Sequence, residues 1–304
     1  MDESSPGFSI SPEVAVGEEC RRILLAETAG AIDALEGFGA DPDHAVHETR
    51  RHGKRIRALL LLARPIAGGG GAIARANRLV RDAARRLAPA RDSLVLAQTL
   101  SAILASKGAP RCGETGKTEL RRLRRHHRRI LDGPDLLARA ETAAVEFREA
   151  SGIFRRWDWA RVKPSAVVAA VVANYRAGAE LFETSRLTRD PHDCHDWRKR
   201  TKYFLFHCRL LSRVVPDPLA ELADLAEALG SSLGEHHDIA VLEDALLDGN
   251  ATDRIGHEVL ALIGLCEHRR AELEKTFFAS GELVYAEPPE KLSRRLGETF
   301  GKKI

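Results

Sequence analysis

His47-Glu48-Thr49-Arg50-Arg51-His52-Gly53-Lys54 and His195-Asp196-Trp197-Arg198-Lys199-Arg200-Thr201-Lys202 follow one pattern: His, acid, any residue, Arg, cation, cation, small, Lys. Each copy stands shortly after an Asp-Pro pair, Asp41-Pro42 or Asp190-Pro191. Asp-Pro reads as a helix start, because the carboxylate accepts an orphan backbone N–H and proline suits the first turn. Further along, Arg91-Asp92-Ser93-Leu94-Val95-Leu96 answers His237-Asp238-Ile239-Ala240-Val241-Leu242. The two pairs of landmarks are 148 and 146 residues apart. Two matches in nearly one register indicate an internal repeat. The expected fold is all-α: two similar helical bundles, fused and related by pseudo-two-fold symmetry.

Outward from these stretches, helix signals dominate. Ser11-Pro12-Glu13 predicts a helix to about Leu35, and Asp41-Pro42-Asp43 a second to about Ala63. Helices are then expected over about Ile73–Leu87, Arg91–Lys107, Lys117–Leu131 and Asp135–Phe154, with Pro65, Gly68 to Gly71, Gly113, Gly116, Gly133 and Pro134 at the breaks. In the second half Pro164-Ser165 opens a helix to about Leu187 and Asp190-Pro191 one to about Val214. Later helices are expected to end near Leu233 and to cover about Asp238–Leu247, Arg254–Ala279 and Pro289–Phe300. No alternating strand pattern stands out. The domain expectation is a short extension over 1–10, a first repeat over 11–156 and a second over 157–304.

Composition fits packed helices: 44% of the 304 residues are hydrophobic and only 5% aromatic. A net charge of +3 is too small to imply a polyanion partner by itself, so the placement of charge has to carry that argument. The cysteines (Cys20, Cys112, Cys194, Cys208, Cys266) are odd in number and widely spaced, which gives neither a disulfide framework nor a zinc site. Residues 1–10 lack an apolar signal core and no apolar run is long enough to span a membrane, so a cytoplasmic location is expected.

At 100° per residue, His47, Arg50, Lys54 and Arg57 fall within about 80° of one another, with Arg51 on the flank. Leu59, Leu60 and Leu62 lie largely on other faces and can anchor the helix to a core. The second copy aligns His195, Arg198, Lys202 and Arg209, flanked by Lys199, while Leu205 takes the position of Arg57. Crowding cations on one stripe destabilises an isolated helix by roughly 0.2–0.5 kcal/mol per i,i+4 pair. A bound polyanion removes that repulsion and releases counterions. Arginine offers a fork, lysine a mobile point charge and histidine a recruitable cation. The plain alternative is a solvated basic face neutralised by Glu48 and Asp196, which the repetition disfavours. A second basic tract holds Arg121, Arg125 and Arg128 on one face; it either extends an anion track or is a solvated face. Arg85, Arg91, Arg176 and Lys291 are further secondary candidates.

At these residues the chain resembles the CHAD family, the conserved-histidine α-helical domain. His47 through Arg57 and His195 through Lys202 carry the resemblance. Softer support comes from Tyr175-Arg176-Ala177-Gly178, Leu233-Gly234-Glu235-His236-His237-Asp238 and Tyr285-Ala286-Glu287-Pro288-Pro289. The resemblance implies two antiparallel four-helix bundles around a central basic cavity, inorganic polyphosphate as partner, association with polyphosphate granules, and contacts from His47, Arg50, Lys54, Arg57, His195, Arg198 and Lys202. Leu205 departs from the family pattern, with Arg209 as a substitute donor. The N-terminal triphosphate-tunnel domain of some relatives leaves no ExExK signature here, so no triphosphatase activity is expected.

Two other functions compete. The pairs His192-Asp193, His195-Asp196 and His237-Asp238 invite a metal-dependent phosphohydrolase, but the surrounding arginines and lysines would repel a divalent cation. Nucleic acid is the harder rival; the stripes lack aromatic platforms and Asn or Gln for reading base edges. No nucleophile elbow, phosphate loop or dinucleotide fingerprint occurs, and Gly68 to Gly71 lacks a following Lys-Ser/Thr. The expectation is therefore a non-enzymatic protein without metal or cofactor, with no membrane partner.

Overall fold

The computed structural model describes residues 7–64, 66, 71–106, 113–248 and 257–303. It is all-helical, with no strand among the described residues. The helices are α1 (Val16–Glu36), α2 (Pro42–Ala63), α3 (Gly71–Arg86), α4 (Ala88–Ala105), α5 (Gly113–Leu131), α6 (Pro134–Arg156), α7 (Pro164–Thr188), α8 (Pro191–Leu211), α9 (Pro216–Asp248), α10 (His257–Val284) and α11 (Pro289–Lys303). α1 packs on α2 and α6, α3 on α6, and α4 on α5. In the second half α8 packs on α7 and α9, α10 on α9, and α11 on α7. α2 meets α8, and α4 meets α9, so these four helices frame the centre of the molecule.

Both Asp-Pro starts form as expected. Asp41 accepts from the His44 backbone N at 3.0 Å. Asp190 accepts from His192 N at 2.7 Å and Asp193 N at 3.4 Å. Leu59, Leu60 and Leu62 are buried on the inner side of α2. The largest buried side chains include Trp197, Phe204 and Phe206 of α8, so the second repeat motif is anchored as well as displayed. α2 and α8 are also joined directly: the fully buried His207 donates from Nε2 to Ala58 O at 2.9 Å.

Several helix boundaries differ from the sequence reading, among them the end of α10, at Val284 rather than near Ala279. α1 starts at Val16 rather than near Ser11, because residues before it are held by tertiary contacts. Phe8 and Ile10 are buried, Phe8 packs edge-on against Phe206 at 6.0 Å, and Ile10 N donates to Leu210 O at 2.8 Å. Ser11 N then reaches the Glu19 carboxylate at 2.8 Å. α5 begins one turn early, at Gly113, with Gly116 buried inside it. α9 runs unbroken past Gly234 instead of ending near Leu233, since Leu233, His236 and Ile239 stay buried on both sides of the glycine. Pro65, Gly68 to Gly70, Lys107, Cys112 and Arg254 lie outside the described residues. Cys20, Cys194, Cys208 and Cys266 are buried.

Two of the softer motif pieces, those around Tyr175 and Tyr285, meet at one structural joint. Tyr175 donates to Val284 O at 3.1 Å and Glu287 O at 2.8 Å. A side chain at Gly178 would run into the Tyr285 ring, so glycine permits the close approach of α7 to this turn.

Candidate functional site

The centre is built from α2, α4, α8 and α9. Its cations are Arg50 and Lys54 from α2, Arg91 from α4, and Arg198 with Lys199 from α8. Asp92 feels Arg50 and Arg91, while Asp238 feels Arg198, Arg91 and Lys54. Arg50 in turn feels Arg198 across the midline. The residues of the two repeat motifs thus come together in space with both downstream landmarks.

Individual geometries are specific. Arg50 donates from Nη1 to Ala84 O at 2.9 Å, capping the last turn of α3 where carbonyls lack helical partners. Its remaining donors are left for other acceptors. The Arg198 guanidinium lies across Gly234, where an added Cβ would stand 3.3 Å from Nε. The end of the Lys202 side chain crosses Gly230, with 3.2 Å to Cε. A pair of glycines one turn apart therefore forms a shallow bed on α9 for two cationic side chains. Arg198 Nε is buried and has no hydrogen-bond partner among the described residues.

His195 stacks on His237 with ring centroids 4.3 Å apart. Burial, then each other's neighbouring charges, pushes both rings down to about 4. For His195 the charges are His237, Lys199 and Arg198; for His237 they start with Arg198. His47 is lowered by burial and then by Arg91. The three imidazoles are thus neutral at pH 7 in the free protein, not standing cations. Burial raises Asp92 and Asp238 while the arginines hold them down. Burial also lowers Arg50 and Arg198, which remain charged.

The other sequence candidates are distributed differently. Arg51 pairs with Glu48 beside His47. Arg57 sits beyond Lys54, its Nε 3.3 Å from Asn77 Oδ1 and its guanidinium 6.0 Å from the Tyr203 ring centre. Leu205 is fully buried, and Arg209 pairs with Glu227 at 2.7 Å. Arg85 is exposed at the end of α3. Arg121, Arg125 and Arg128 line the exposed side of α5, with Arg121 beside Glu114 at 3.6 Å. In the same tract His127 is a buried strut, linked to Ser93 Oγ at 2.9 Å and Asp43 at 3.1 Å. Arg176 pairs with Glu290 at 2.9 Å and Lys291 with Glu287 at 3.7 Å, both on the α7–α11 side. His237, Asp92, Asp238, Gly230 and Gly234 were not among the sequence candidates. Their signals in the sequence were the second landmark pair, the Leu233–Asp238 piece and the four-residue glycine spacing.

Among the described residues, one group of acids and histidine has ligand atoms close enough for a metal ion: Asp190, His192 and Asp193. It lies at the exposed start of α8, where the Asp190 carboxylate already caps the helix. His195 and His237 belong to no such group.

A sequence model of the CHAD domain matches residues 15–247. The chain belongs to the CHAD family. Among solved structures, PptA from Streptomyces chartreusis superposes with a TM-score of 0.57 at 16% identity, covering 90% of this chain and all of that one. The CHAD domain from the plant Ricinus communis gives 0.56, also at 16% identity, over 95% of this chain and 94% of that one. At such identities these likenesses speak for the fold alone. Among curated proteins none matches the chain. As a family, CHAD domains are associated with polyphosphate binding. No helix among the described residues is long and apolar enough to cross a membrane.

Proposed function

We propose that this CHAD protein binds inorganic polyphosphate electrostatically, without catalysis, between two helical bundles spanning about 11–156 and 157–304 and related by pseudo-two-fold symmetry. The observation that carries the reading is the convergence of Arg50, Lys54, Arg91 and Arg198 from both halves on one centre, with Lys199 beside them and Asp92 and Asp238 set among them. Forked guanidinium donors suit tetrahedral phosphates of changing orientation. A repeating phosphate chain satisfies both halves at once and removes their mutual repulsion. A chain so held would associate with polyphosphate granules in the cytoplasm.

The test is direct binding of long-chain polyphosphate by the purified protein beside Arg50→Ala/Arg198→Ala, with single-stranded DNA as competitor. Tight binding that the double variant loses and DNA does not displace supports the reading. Affinity should fall with salt at a log–log slope of about −0.7 for each phosphate neutralised. Binding that ignores salt, or that DNA displaces readily, would overturn it in favour of nucleic acid or a general anion surface.

A further inference from the structure

A second concentration of positive charge lies to one side of the centre. A groove of about 780 Å3 between α2, α3, α7 and α8 is lined by Arg57, Arg64, Arg78, Arg81, Lys199 and Arg200. Asp196 is its one acidic lining residue, and it pairs with Lys199 at 2.7 Å. Arg81 pairs with Asp82 on its own helix. Among the described residues no carboxylate pairs with Arg57, Arg64, Arg78 or Arg200. Arg57 and Arg200 contact the neutral amides Asn77 and Asn174. Leu60, Leu61, Leu181 and Tyr203 complete the lining. Low-dielectric walls under like charges focus the field outward, which is how a cleft concentrates anions.

The helix that follows α8 as α3 follows α2 has the opposite charge. α3 carries Arg75, Arg78, Arg81, Arg85 and Arg86 against Asp82. The first half of α9, from Pro216 to Ser232, carries Asp217, Glu221, Asp224 and Glu227 with no lysine or arginine. There Glu227 holds Arg209, a basic stripe residue of α8. Lys199 joins the groove to the centre, since it lines the groove and also depresses His195 and His237.

We infer that the α2–α3–α7–α8 groove is a second phosphate-chain subsite, continuous with the centre, so that a long polyphosphate leaves the centre over α3 and is turned away by α9. The inference rests on the polyphosphate reading and adds a direction to it. Tripolyphosphate fills only the centre, while a long chain also occupies the groove.

Arg64→Ala/Arg78→Ala tests this, because both side chains are exposed and unpaired and their loss leaves the core intact. Titration of the full chain with tripolyphosphate and with long-chain polyphosphate should show the first unchanged. The second should weaken at least tenfold, with a salt slope shallower by about 1.4 for two lost contacts. Unchanged long-chain affinity and slope, with Arg50→Ala/Arg198→Ala still losing binding, would remove the groove and keep the centre. Equal weakening of both ligands would also overturn the subsite, since it would mark a general field effect. Failure of the wild-type chain to bind either ligand would instead overturn the polyphosphate reading, and the groove with it.

Discussion

Polyphosphate binding should draw a proton into the histidine pair. In the free protein His195 and His237 are held to about 4 against an ordinary value of 6.5, by burial and by cations around them. A bound polyanion cancels those cations and favours imidazolium. Because the rings stack at 4.3 Å, like-charge repulsion limits uptake to about one proton for the pair. The sign follows directly: the complex binds more protons than the free protein, so affinity rises as pH falls from the bound value toward about 4. If the bound value returns to about 6.5, affinity at pH 5.5 exceeds that at pH 7 by roughly eightfold. Screening of these half-buried rings makes that a ceiling. Calorimetry at pH 6.5 in buffers of different ionisation enthalpy should register uptake of about half a proton. Asp92 and Asp238 titrate in the same direction, so the decisive comparison is His195→Gln/His237→Gln, which should flatten the profile. A wild-type profile that is already flat, or one the double variant leaves unchanged, would refute the reasoning.

Three further outcomes follow from particular contacts. Asp238→Asn removes a negative charge from among Arg198, Arg91 and Lys54 and should tighten polyphosphate binding roughly three- to tenfold in titrations at fixed salt; loss of binding would point instead to Asp238 as a ligand. Gly234→Ala should raise thermal stability, since alanine favours a helix by up to about 1 kcal/mol, yet weaken binding a few-fold by nudging Arg198 from 3.3 Å contact. His207 is buried neutral at about 4, so its contribution to stability is present above about pH 6.5 and lost as pH falls toward 4. Urea denaturation should show about 2 kcal/mol of that loss between pH 7 and pH 5, absent in His207→Gln.

What was readable in advance was local. Asp41-Pro42 and Asp190-Pro191 specify their own caps through neighbouring backbone, and the helical stripe of His47, Arg50 and Lys54 follows from residue spacing alone. The start of α1 was not readable, because Phe8 and Ile10 are held by contacts with Phe206 and Leu210 far along the chain. Gly234 read as a helix end, whereas burial of Leu233, His236 and Ile239 carries α9 through it and Arg198 packs against it. The roles of His237, Asp92 and Asp238 were out of reach for the same reason, although the landmark pair had marked them. A single-helix projection cannot bring α4 and α9 up against α2 and α8, nor reveal that neighbouring cations discharge the histidines they surround.

The buried strap at the start of the chain has a consequence for how the protein is made. Ile10 is synthesised two hundred residues before its partner Leu210. At ordinary elongation rates of about 5–20 residues per second, that is a wait of roughly 10–40 s. Until α8 arrives, Phe8 and Ile10 lack the Phe206 and Leu210 partners they hold in the finished fold, so this segment docks late. The first half therefore emerges with this apolar segment still incompletely covered, and synthesis of the second half is what closes the first.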